Sequence, residues 1–337
     1  MNKQRLLIMA ALLALAGFFG GCGAQPVAPV KETRLVMDTA IEITAYGKDA
    51  KTGIGQAFAE YERIHRSADR FQPDSDISRV NRAAGGAPVL VDPALIEMIE
   101  AVRAQPEAIR ALVKLTVGPV ADTWQIRERE GWQPPTSQAV QAAVRLIDDA
   151  AVEVDKQAST VRLRRAGMSL DVGAVAKGYA TDRAIATLKA AGVRHALINA
   201  GGNVHALGNK PEGAPWRVGL QHPRDKDKLS GVFSLRDGES LQTSGDYQRY
   251  VSYEGKRYTH IFDPRTGAPG DTGLASATII CASSTLGDIL STAVYVAGEQ
   301  AGQNLLQQHY PAAGFVLITV DGRLVSADNI KERFQRQ

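Results

Sequence analysis

Ser169-Leu170-Asp171-Val172-Gly173-Ala174-Val175-Ala176-Lys177-Gly178-Tyr179-Ala180-Thr181-Asp182 is the stretch around which the rest of the chain reads as organised. Met168 to Leu170 is a short apolar run and reads as the end of a strand. Asp171 closes it, and its carboxylate can accept the free N–H groups of a first helical turn. Gly173 and Ala174 let the backbone be approached closely, and an amphipathic helix continues through Ile185 to Ala190. A helix N-terminus offers donors to an anion, and Lys177 adds a point charge. A plain strand-to-helix turn with a surface lysine satisfies the same residues. Neither the Gly-Lys-Ser/Thr phosphate loop nor the three-glycine dinucleotide fingerprint occurs here, so any phosphate chemistry follows another scheme.

The 337 residues suffice for one large domain or two modest ones. Charges are mixed along the chain and the formal net charge is only +3, which argues against nucleic acid as a partner. Two cysteines, Cys22 and Cys281, exclude a disulfide framework and a cysteine-based zinc site. Residues 1–22 read as a targeting segment: Lys3 and Arg5 precede an apolar run from Leu6 to Phe19, too short for a comfortable span. Gly20-Gly21-Cys22 then resembles the bacterial lipobox, with Phe19 where leucine is usual. An ordinary cleaved signal or an uncleaved anchor are the alternatives. The expectation is a bacterial lipoprotein, lipidated at Cys22 and facing the periplasm or another extracytoplasmic space. Residues 23–32 would be a flexible tether and 33–337 one catalytic domain.

Thr33 to Gly47 alternates as a strand or hairpin, with a polar centre at Met37-Asp38-Thr39. Ile54 to Ala68 carries Phe58, Tyr61, Ile64 and Ala68 on one helical stripe. Asp92-Pro93 caps a further helix through Val102. Pro106 to Leu115 and Val120 to Glu130 read as helices interrupted by Thr116-Val117-Gly118-Pro119, and Ser137 to Asp148 as another. Strands dominate from Val152 to Phe262, and a strand, two helices and a hairpin around Asp321-Gly322 close the chain. This mixture predicts an α+β fold, with mixed or antiparallel sheets flanked by helices.

Three more stretches pack polar groups and glycines into apolar surroundings. Asn199-Ala200-Gly201-Gly202-Asn203 suits a backbone that passes close to a ligand, or simply a tight strand connection. Gln242-Thr243-Ser244-Gly245-Asp246-Tyr247 is a second such loop. His260-Ile261-Phe262-Asp263-Pro264-Arg265-Thr266-Gly267 combines a histidine able to move protons near neutral pH with a carboxylate, a guanidinium and a turn. Finally, Leu286 to Val296 is apolar nearly all round yet holds Asp288 and Thr292 four residues apart on one face. A buried carboxylate needs a partner. A hard divalent cation with oxygen ligands supplies one; a neighbouring turn capped by Asp288 is the alternative.

In this order, Asp-x-Gly-Ala-x-Ala-Lys-Gly-Tyr, Gly-Gly-Asn, Thr-Ser-Gly-Asp-Tyr and His-x-x-Asp-Pro-x-Thr-Gly resemble the FAD:protein FMN transferases, the ApbE family. The likeness runs from about Thr33 to Gly298. It implies FAD in a central cleft and magnesium, with manganese as the alternative, bound by the Ala174 carbonyl, Asp288 and Thr292. It also implies that Met37 and Phe71 line the FAD site, that Asp171 and Lys177 contact FAD, and that Phe262 forms an apolar wall. Asp38 replaces the family's usual glycine. Lys114 stands where an aspartate is usual, so no FAD contact is carried onto Val113-Lys114-Leu115.

The reaction so implied is phosphoryl transfer: a threonine or serine hydroxyl attacks the FMN phosphorus of FAD and AMP leaves. Lys177 assists and His260 is the candidate proton acceptor, with Asp246 or a metal-bound water as alternatives. The implied acceptors are flavoprotein subunits of membrane redox complexes. The rivals are an FAD pyrophosphatase giving FMN and AMP, and a non-catalytic FAD-binding lipoprotein.

Overall fold

The computed structural model describes residues 28–127 and 131–337. Cys22, the leader and the first half of the tether lie outside them. The described chain departs from the expected tether boundary, because the last three residues of that segment already belong to β1 (Val30–Val36): Val30 pairs with Ala45 of β2 (Thr39–Tyr46). The two-residue turn between them, Met37-Asp38, takes left-handed φ at both positions (54° and 56°). That is the twist a two-residue hairpin turn requires, here without the glycine that would adopt it most easily.

The hairpin opens an eight-stranded antiparallel sheet. Its strands follow in chain order: β3 (His195–Ala200), β4 (Asn203–Leu207), β5 (Ser240–Gly245), β6 (Leu274–Cys281), β7 (Gly314–Thr319) and β8 (Leu324–Ser326). Alternation sorts the side chains between two cores. Ile41, Ile43, Ala277, Ile279 and Leu317 pack with three helices, α1 (Ala50–Ala68), α2 (Ala176–Ala190) and α3 (Ser284–Ala297). Leu241, Ile280, Val316 and Ile318 face a three-stranded sheet through Trp216, Phe233 and Leu235. A third apolar cluster joins the helix Gly118–Trp124 and the helix Ser137–Val144 to the ribbon Tyr250–Tyr253/Lys256–Thr259, around Val120, Trp124 and Phe262. The α+β expectation holds.

Local expectations failed where partners are distant. Met168 to Leu170 is not a strand. Instead, the Asn81 side chain brackets Leu170, accepting from its N–H (2.7 Å) and donating to its carbonyl (3.0 Å). The Asp171 N–H donates to the Leu115 carbonyl at 2.7 Å. Gly118-Pro119 starts a helix instead of interrupting one, since proline suits a first turn. That helix ends at Trp124, where Gln125 turns left-handed, and the Pro106–Leu115 expectation shrinks to Glu107–Arg110.

Candidate active site

The hairpin turn, the N-terminus of α2, the middle of α3 and the third apolar cluster wall a cleft of about 920 Å³. Met37, Phe71, Asp171, Ala174, Lys177, His260, Phe262, Asp288 and Thr292, every residue the sequence assigned to the site within the described chain, line it. So do Val113 and Lys114, residues the family likeness leaves without an assigned contact.

The first turn of α2 shows how the backbone prepares one end. Asp171 does not cap it; its carboxylate accepts from the nearby Gly173 N–H (2.7 Å) and from Arg70 (3.2 Å). The Gly178 N–H, whose ordinary helical acceptor would be the Ala174 carbonyl, donates instead to Asp288 Oδ2 at 2.9 Å. The Ala174 carbonyl therefore accepts no hydrogen bond among the described residues, and Ala174 lines the cleft. Only glycine permits this approach: a Cβ at Gly178 would stand 2.2 Å from the Ser284 carbonyl oxygen and 2.9 Å from Asp288 Cβ.

Asp288 is buried, 3% exposed, and Asn203 Nδ2 donates to its second oxygen at 3.2 Å. The capping alternative is thus met in part. Yet two hydrogen bonds leave lone pairs free and no cation lies within ion-pair distance among the described residues. Burial raises its carboxyl above the usual range, and the Lys177 charge offsets only part of that rise. Thr292 lines the cleft; it donates to the Asp288 carbonyl (3.0 Å) and can accept from Ser244 Oγ (3.3 Å), which leaves one lone pair on its oxygen. A bare carbonyl, a carboxylate and a hydroxyl are hard oxygen donors, and a magnesium-type cation fits them.

At His260, Nδ1 lies 3.1 Å from the Arg249 carbonyl oxygen, which can only accept; the proton therefore sits on Nδ1 and Nε2 keeps its lone pair. Burial, then the Arg249 charge, lowers the imidazole to about 4. This corrects the expectation of titration near neutrality: the ring is a standing base, unprotonated throughout the neutral range. Asp246 is withdrawn as an alternative base, because Arg224 grips both its oxygens (2.6 and 2.7 Å) and it does not line the cleft.

Arg70 was missed. Only 9% of its side chain is exposed, and it donates to Asp122, Asp171, Ser169 and the Gly118 carbonyl, so one guanidinium ties three chain segments into the cleft wall. Its neighbour Phe71 presents a half-exposed ring, with the Arg127 guanidinium 3.9 Å from its centroid. Phe262 forms an apolar wall backed by Trp124. Lys177 and Lys114 also line the cleft and have no ion-pair partner among the described residues.

An apolar slot, two lysines without ion-pair partners among the described residues and a set of hard oxygen donors thus share one cleft. The sequence pattern of the ApbE family matches residues 37–316, and the chain belongs to that family. It is similar to an FAD:protein FMN transferase of Klebsiella pneumoniae (37% identical over 236 residues, 70% of this chain and 72% of the relative). It is similar also to one of Treponema pallidum (31% identical over 333 residues, 93% and 91% covered). The crystal structure of the ApbE protein from Thermotoga maritima shares the fold, with a TM-score of 0.83 at 27% identity, covering 92% of this chain and 100% of that one.

Proposed function

We propose that this protein transfers FMN from FAD to a threonine or serine hydroxyl of an acceptor flavoprotein and releases AMP, the activity for which its relatives are named. The observation that carries the reading is the unbonded Ala174 carbonyl, held in one cleft with Asp288, Thr292, Lys177 and the unprotonated Nε2 of His260. Magnesium at Ala174, Asp288 and Thr292 would draw charge from the diphosphate oxygens. Lys177, at the α2 N-terminus, offsets charge on the same group. Phe71, Met37 and Phe262 give the isoalloxazine an apolar bed, and Asp171 orients Arg70 beside it. The hydroxyl oxygen bonds to the FMN phosphorus as the bond to the bridging oxygen breaks. AMP carries away that electron pair, and the hydroxyl proton passes to His260 Nε2.

The leader adds a location. Lipidation at Cys22 would hold the domain on the periplasmic or another extracytoplasmic face, within reach of the flavoprotein subunits of membrane redox complexes. The test is incubation with FAD, magnesium and such a subunit, followed by denaturing electrophoresis. Flavin fluorescence in the acceptor band is expected. Free FMN with AMP would mean water is the acceptor, and intact FAD would mean binding without turnover.

A further inference from the structure

Asp182 lies one helical turn beyond Gly178 on α2, and the first turn of α3 lies one turn before Asp288. Its carboxylate accepts four hydrogen bonds from that turn: Ser283 Oγ (2.8 Å), Ser284 N (2.8 Å), Thr285 N (2.9 Å) and Thr285 Oγ1 (2.7 Å). Asp288 returns the exchange by accepting from the first turn of α2 through Gly178 N (2.9 Å). Each helix thus gives the other a carboxylate for its orphan amides. Strand β4 braces both ends from one face. Asn203 donates to Asp288, while His205 Nδ1 sits 2.7 Å from Ser284 Oγ and 3.4 Å from Asp182 Oδ1. Burial pushes the Asp182 carboxyl up, but His205 and the donors around it win and hold it at about 2, so it is ionised at any working pH.

We infer that Asp182 is a positioning residue for the cation site: by pinning α3 to α2 it sets where the Asp288 carboxylate and the freed Ala174 carbonyl stand. The inference rests on the proposed cation-binding role of Asp288. If α3 lifts from α2, the Gly178 N–H loses Asp288 and reverts to the Ala174 carbonyl, as in an ordinary helix. One displacement would then spoil two of the three ligands.

Three variants of the full chain test this: Asp182→Asn, Asp288→Ala, and Tyr61→Phe as a stability control. Tyr61→Phe removes a buried 2.7 Å hydrogen bond to Thr181, also on α2. Mn2+ affinity is read by electron paramagnetic resonance, and Gly178 amide exchange in the metal-free protein by NMR. Asp182→Asn is expected to bind Mn2+ about 10–100-fold more weakly, the usual cost of removing a partner that orients a ligand. Its Gly178 amide should exchange faster, whereas Tyr61→Phe lowers Tm and leaves both readouts alone. Mn2+ affinity within about threefold of wild type, with Gly178 still protected, would overturn the inference. Should Asp182→Asn not fold, Ser283→Ala with Thr285→Val removes the two hydroxyl donors and should weaken Mn2+ about tenfold. If Mn2+ binding in the wild type proves independent of Asp288, the cation reading fails. Gly178 exchange in Asp182→Asn then still decides whether Asp182 positions Asp288.

Discussion

His260→Ala removes an imidazole in the cleft whose free nitrogen can take the acceptor's proton. At pH 7 the ring, held at about 4, is almost wholly unprotonated, so the wild type has its base fully available. A positioned general base contributes about 10²–10⁴-fold, and single-turnover transfer should fall within that range while FAD affinity changes little. The pH dependence gives a sharper signature. The acidic limb of kcat/KM should fall near pH 4 in the wild type, not near the ordinary 6.5, and should vanish in the variant. Stability carries the same mark. The folded value lies below the unfolded one, so the unfolded chain binds the extra proton, and stability falls as pH drops from 6.5 toward 4. That gap corresponds to about 3 kcal/mol, which the alanine variant should not lose. The assay is flavin retained on denatured acceptor at timed quenches, with urea unfolding run across the same pH range. A fall of less than about threefold, or an acidic limb near 6.5 that survives the substitution, would refute the reasoning.

Asp288→Ala should abolish magnesium-dependent turnover more completely than Thr292→Ala, because it removes the only formal charge among the proposed ligands; near wild-type activity at low magnesium would misplace the site. Gly178→Ala should destabilise by about 1–3 kcal/mol through overpacking against Ser284 and also weaken metal binding, measured by thermal melts and Mn2+ titration. An unchanged melt would mean the helices separate freely. Cys22→Ala should release an intact, active domain from the membrane fraction; palmitate labelling checks it, and an unlabelled wild type still in that fraction would sink the lipid anchor.

Elements whose signals are local could be read in advance. The α1 stripe of Phe58, Tyr61 and Ile64 is fully buried, and Asp92 caps its helix with Pro93 in the first turn. Each motif also reached the cleft, since dense polar groups in apolar elements need a reason to be there. What stayed hidden depends on partners far along the chain. The apolar run Met168–Leu170 looked like a strand because nothing nearby reveals that Asn81, 89 residues earlier, would satisfy its backbone. Arg70 is one of many arginines until it meets Asp171, 101 residues on. The free Ala174 carbonyl could not be derived from its own surroundings, because the Gly178 N–H is drawn away by Asp288, 110 residues on. The depressed His260 titration likewise follows from its final burial and not from its motif.

If the cleft works as proposed, it moves the FMN phosphoryl group of FAD onto protein. The most direct test is mass spectrometry of an acceptor peptide after reaction with FAD and magnesium, with AMP quantified in the same sample. FMN joined through its phosphate to one threonine or serine is expected, with one AMP released per FMN attached. AMP released with free FMN and an unmodified acceptor would contradict it.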